Sequence, residues 1–123
     1  MTAFNAVDSS GWLEYFADTP RAKLFAAAID DPDRLVVPVV TVYEVFKTFL
    51  RERGEGDALA AVSVMRSGRV IDLDVSLALE AGRFALPLAD SLIYATTQRY
   101  AATLWTQDED FKGLAGVRCF PKR

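Results

Sequence analysis

The strongest constraint on the fold is the alternation of two hydrophobic rhythms along the chain. Short β-branched runs recur, and between them apolar residues fall at helical spacing. Residues 3–7 read as a buried strand ended by Asp8-Ser9-Ser10-Gly11, which starts a helix carrying Trp12, Leu13 and Phe16 on one face. Pro20 begins a second helical segment, with Leu24, Phe25, Ala28 and Ile29 in period, and Asp30-Asp31-Pro32-Asp33 breaks it. Residues 35–37 form a second strand. Thr41 opens the clearest helix, where Val42, Val45, Phe46, Phe49 and Leu50 recur at helical positions. Gly54-Glu55-Gly56 ends it, and Asp57 is expected to cap a partner helix through Met65, making a helical hairpin.

Residues 70–73 read as a third strand, interrupted by Asp72, and residues 76–84 as a short helix. Pro87 suits the first turn of a helix through Tyr100. Residues 104–106 are a fourth strand, 108–114 one helical turn closed near Gly113 or Gly116, and 117–120 a final strand before a Pro121-Lys122-Arg123 tail. Strands alternating with helices predict an α/β fold: a mostly parallel central sheet flanked by helices. At 123 residues, one domain over 1–123 is the expectation.

Composition narrows the chemistry. The chain has no histidine, and Cys119 is its only cysteine, which excludes a Ser-His-Asp triad, a Cys–His pair, a structural zinc site and an internal disulfide. Cys119 reads as a small core residue. A net charge of −3 argues against nucleic-acid binding dominated by phosphate contacts, so such binding must rest on local features or a metal. The start lacks the basic residues and apolar run of a signal peptide. The longest apolar stretch, residues 35–43, is far shorter than the roughly 20 residues a membrane helix needs. A reducing cytoplasm and no membrane are expected.

Four acids carry the functional reading. In parallel α/β sheets, ligands bind at the carboxyl ends of the strands. Asp8 follows strand one, Glu44 lies in the first turn of the helix after strand two, and Asp108 follows strand four. Asp90 lies in the first turn of the helix leading into strand four. Covering helices start at the strands' carboxyl edge, so all four belong on one rim. Each has a structural explanation as well. Asp8 and Asp108 can be N-caps, Thr41-Val42-Tyr43-Glu44 fits a capping box, and Asp90 complements a helix dipole. Together, however, four crowded carboxylates repel unless a cation neutralises them. Hard divalent ions such as Mg²⁺ or Mn²⁺ take oxygen ligands and can activate water at a phosphodiester.

At these residues the sequence resembles the PIN-domain family, and most of all the VapC toxins of type II toxin–antitoxin pairs. The matching pieces are Val7-Asp8-Ser9-Ser10, Thr41-Val42-Tyr43-Glu44-Val45, Leu86-Pro87-Leu88-Ala89-Asp90-Ser91-Leu92-Ile93 and Thr106-Gln107-Asp108-Glu109-Asp110-Phe111. Their order and separations match over nearly the whole chain. The resemblance implies a PIN fold and Mg²⁺- or Mn²⁺-dependent cleavage of RNA to 5′-phosphate and 3′-hydroxyl ends. It also implies a homodimer and inhibition by a cognate VapB-type antitoxin that occupies the acidic groove. Carried over, Asp8, Glu44, Asp90 and Asp108 are the catalytic and metal-binding acids, with Asp8 and Asp90 first as direct ligands. Asp110 is an assisting acid, and Thr106 and Ser10 are supporting hydroxyls. Lys47 is a candidate phosphate contact one turn after Glu44.

Two rival readings share the architecture. A receiver-type phosphoacceptor domain would use Asp74 as acceptor and Lys112 as its late lysine. A non-catalytic partner-binding module would use apolar positions on Phe46, Phe49 and the first helix.

Overall fold

Runs such as Ala6-Val7 and Val36-Val37 are fully buried, as parallel strands covered on both faces require. The computed structural model describes residues 3–122. Met1, Thr2 and Arg123, and with them part of the expected start and tail, lie outside the described residues. The strands are β1 (Asn5–Val7), β2 (Val36–Pro38), β3 (Arg69–Ile71), β4 (Thr103–Thr106) and β5 (Val117–Cys119). The helices are α1 (Ser9–Ala17), α2 (Lys23–Ile29), α3 (Val39–Arg53), α4 (Glu55–Met65), α5 (Val75–Ala81) and α6 (Leu88–Arg99). Single 3₁₀ turns occupy Pro32–Arg34 and Glu109–Phe111.

Every strand pairing is parallel: β1 with β4, β4 with β5, and β2 with β3. One parallel bridge, Asn5 to Leu35, joins the two ladders and sets the order β3-β2-β1-β4-β5. Successive strand residues point to opposite faces. Accordingly, Val7 and Val37 pack with Trp12, Phe25, Phe49 and Met65 under α1–α4, whereas Ala6 and Val36 pack with residues of α5 and α6. Among the described residues, no helix is long and apolar enough to cross a membrane.

Several boundaries differ from the sequence reading for identifiable reasons. Helix α3 starts at Val39, straight after Pro38, so Thr41 does not cap it and its hydroxyl donates to the Pro38 carbonyl at 2.7 Å. Gly54 alone separates α3 from α4, at φ 93°, a conformation that glycine adopts without strain. Asp57 therefore lies inside the first turn of α4 rather than capping it. Asp74 caps α5 by accepting the Leu77 N–H at 2.8 Å, which starts that helix one residue early. Pro87 takes the cap position of α6, not its first turn. Strand β3 begins at Arg69, whose N–H reaches the Leu35 carbonyl at 2.8 Å. Residues 20–22 form turns, so α2 starts at Lys23. Phe49 is buried, and Phe46 is partly buried against the same core.

Candidate metal centre

The β1–β4 ladder runs one residue past β1: the Asp8 N–H donates to the Trp105 carbonyl at 3.2 Å. Asp8 then caps α1 by accepting the Gly11 N–H at 3.1 Å. Gly11 is required there, because a Cβ would sit 2.6 Å from Val7 Cγ1 and 2.7 Å from Phe25 Cδ1. Its absence lets the first turn of α1 settle onto β1. The Ser10 hydroxyl lies 2.9 Å from both Asp8 oxygens, and the Thr106 hydroxyl donates to Asp8 Oδ2 at 2.7 Å. Burial still wins over these donors. It pushes the Asp8 carboxyl up to about 6, and the Asp108 charge adds to the effect.

Thr106 ends β4 and is fully buried. While donating to Asp8, its oxygen accepts the Asp108 N–H at 2.9 Å. One hydroxyl thus couples the acids that follow β1 and β4. Asp108 caps the 3₁₀ turn by accepting the Asp110 N–H at 2.9 Å. Glu44, on the second turn of α3, accepts a short hydrogen bond from Ser9 at the start of α1. The expected Thr41–Glu44 capping box is not formed, because α3 begins earlier.

Asp90 stands half-buried in the first turn of α6. Burial and the charges of Asp108, Asp110, Asp8 and Glu44, in that order, push its carboxyl up to about 7. Four carboxylates, from three separate parts of the chain, thus act on Asp90. One oxygen from each of Asp90, Asp108 and Asp110 lies within 4.8 Å of the others. Oxygens around a Mg²⁺-sized ion, each 2.0–2.1 Å from it, are at most about 4.2 Å apart, so small side-chain rotations would close this set. The donors are all hard oxygens, which suits Mg²⁺ or Mn²⁺. Asp110, expected only to assist, belongs to this closest set. Asp8, the expected direct ligand, lies outside it and is held by its three protein donors.

Sequence reasoning missed Ser9 as the partner of Glu44. It also missed a group behind the rim. The Gln107 side chain accepts from Arg21 Nε at 2.6 Å and donates to Glu14 at 2.7 Å. The Asp-Ser-Ser and Gln-Asp strings were visible, but their partners lie 35 to 93 residues away. Cys119 is half-buried rather than core, with its sulfur 3.8 Å from the Asp108 carbonyl, and burial pushes its thiol up. Lys47 contacts Tyr43, with Nζ 3.2 Å from the hydroxyl.

The receiver reading has no geometric support. Asp74 follows edge strand β3 and pairs with Arg99 at 3.0 Å, while Lys112 precedes β5 at the opposite edge.

The family model for the PIN domain matches residues 6–117. The fold is similar to a toxin–antitoxin complex from Klebsiella pneumoniae, with TM-score 0.78 and 22% identity over 96% of this chain and 99% of that one. It is also similar to a DNA-bound VapBC from Salmonella typhimurium, with TM-score 0.73 and 14% identity over 98% of each chain. A third similar structure is VapC20 of Mycobacterium tuberculosis, described as a sarcin-ricin loop cleaving toxin, with TM-score 0.73 and 19% identity over 89% of this chain and 94% of that one. At these identities the likeness is one of fold. No curated protein matches the chain.

Proposed function

The chain belongs to the PIN-domain family, and from that premise we propose that it is a metal-dependent endoribonuclease toxin, held in check by a cognate VapB-type antitoxin. The observation that carries the reading is the convergence of acids on Asp90, with Asp90, Asp108 and Asp110 oxygens within 4.8 Å of one another. In this reading these three, with Asp8 and Glu44 beside them, hold Mg²⁺ or Mn²⁺. Such an ion supplies water activation and charge neutralisation at an RNA phosphodiester. The protein's own part is positional. Thr106, Ser10 and the Gly11 N–H aim Asp8, Ser9 holds Glu44, and the 3₁₀ turn presents Asp108 and Asp110.

The whole chain, 1–123, acts as one domain in this proposal. A cavity of about 360 Å³, bordered by Ser10, Leu13, Glu14, Phe49, Gln107 and Lys122, adjoins the rim and supports a seat for an antitoxin segment. Val75 and Leu79, one turn apart on α5, and Leu88 at the start of α6 are 65–80% exposed, and in this proposal they contact a second copy in a homodimer.

The test uses purified, antitoxin-free protein and a structured RNA. Cleavage is expected with Mn²⁺ or Mg²⁺, to stop with EDTA, and to vanish in Asp90→Asn with the fold intact by circular dichroism. Full cleavage by that variant, or undiminished cleavage in EDTA, would overturn the assignment.

A further inference from the structure

The Thr106-Gln107-Asp108 segment leaves β4 extended, so alternate side chains point to opposite sides. Thr106 and Asp108 turn toward the acids, and Gln107 turns toward α1 and the loop after it. Gln107 is 8% exposed. Its oxygen accepts from Arg21 Nε at 2.6 Å and its nitrogen donates to Glu14 Oε2 at 2.7 Å. Arg21 also donates to the Phe120 carbonyl at 2.6 Å, and the Phe120 N–H donates to the Thr106 carbonyl at 2.8 Å. These bonds close a ring: Thr106, Phe120, Arg21, the Gln107 side chain, and back along the chain to Thr106. Glu14 is fixed in turn by the Thr19 hydroxyl at 2.8 Å and by Lys122 Nζ at 3.3 Å. A side chain held from two directions in a closed ring leaves the peptides on either side of it little rotational freedom.

We propose that Gln107 is a positioning residue, clamped by Arg21 and Glu14 so that Thr106 and Asp108 keep their orientation toward the metal side. It touches none of the reacting atoms and acts through its neighbours. This rests on the ribonuclease reading, and displacement of a catalytic group by about 1 Å can cost on the order of a hundredfold in rate.

The clamp needs one donor and one acceptor facing opposite partners. Gln107→Leu removes both, and Gln107→Glu turns a carboxylate toward Glu14. Pairing Gln107→Glu with Glu14→Gln reverses the donor and acceptor and restores the contact. Two readouts on the full chain decide the matter: cleavage kinetics with Mn²⁺, and deuterium exchange at the Asp108 amide, whose bond to Thr106 reports the segment directly. Gln107→Leu and Gln107→Glu are expected to lower kcat at least tenfold with KM within twofold. Both should speed Asp108 exchange at least tenfold relative to β1 amides. The double variant should recover both readouts to within threefold. Unchanged Asp108 exchange in Gln107→Glu, or failure of the double variant to recover, would overturn the proposal. If the unaltered protein cleaves no RNA, the ribonuclease reading fails, and the exchange data still decide the clamp.

Discussion

Replacing Asp8 by Asn should stabilise the metal-free protein at pH 8 while removing its activity. Burial raises the Asp8 carboxyl from 3.8 to about 6. At about 1.36 kcal/mol per unit, ionising it in the folded protein costs about 3 kcal/mol relative to the unfolded chain. The sign follows from proton uptake. The folded state holds the proton more tightly, so the contribution of Asp8 is complete below pH 3.8, declines as pH rises toward about 6, and is flat above. Asn at position 8 still accepts the Gly11 N–H. Its amide nitrogen cannot accept from Thr106, a loss of about 1 kcal/mol. The expected net gain at pH 8 is about 1–2 kcal/mol, or roughly 3–10 °C in Tm, and at pH 4 it vanishes or reverses. Urea unfolding in EDTA, followed by Trp12 and Trp105 fluorescence between pH 4 and 8, measures this. Mn²⁺ at a hundred times Kd should then stabilise the unaltered protein by about 2.7 kcal/mol and the variant far less. An Asn variant less stable than its parent at pH 8, or a difference independent of pH, would refute the argument that Asp8 is held against ionisation.

Thr106→Val removes one of the two donors to Asp8 Oδ2 and leaves the Asp108 N–H unpaired. It should cost about 1–3 kcal/mol in urea unfolding and depress cleavage, whereas Thr106→Ser keeps the hydroxyl and should retain most of both. Gly11→Ala forces a methyl to within 2.6 Å of Val7 and 2.7 Å of Phe25, and should lower stability by about 1–3 kcal/mol, read as Tm. Leu88→Asp, at a position 80% exposed, should convert a dimer to a monomer by light scattering with the circular dichroism spectrum retained and with a Tm that no longer depends on protein concentration; a dimer that persists would place the contact elsewhere.

The acids show how far sequence reasoning reaches. Asp8 and Asp108 each read in sequence as a helix cap or a site residue; the structure makes both of them caps, and both stand at the acidic rim. A cap holds its carboxylate at a helix N-terminus, and in a parallel α/β sheet those ends lie at the strands' carboxyl edge, so capping is compatible with the proposed site role. Glu44 departs from the sequence pattern. The Thr41–Glu44 spacing fits a capping box, but Pro38 lets α3 begin at Val39, and Glu44 turns to Ser9 instead. The family resemblance makes Asp110 only an assisting acid, and neighbouring Asp and Glu residues in a short acidic string look alike in sequence. The 3₁₀ turn is what carries Asp110, rather than Glu109, to Asp90 and Asp108.

Sequence alone determined the alternating elements, the parallel sheet and the acidic rim, because periodicity and helix–strand order are local properties that survive without knowledge of partners. Tertiary structure decided the strand order β3-β2-β1-β4-β5, the coupling of Asp8 to Asp108 through Thr106, and the clamp on Gln107. Each of these depends on contacts between residues distant in the chain. Which donor meets which acceptor there is set by how β1 and β4 pair and how α1 packs on them, and no local spacing encodes that.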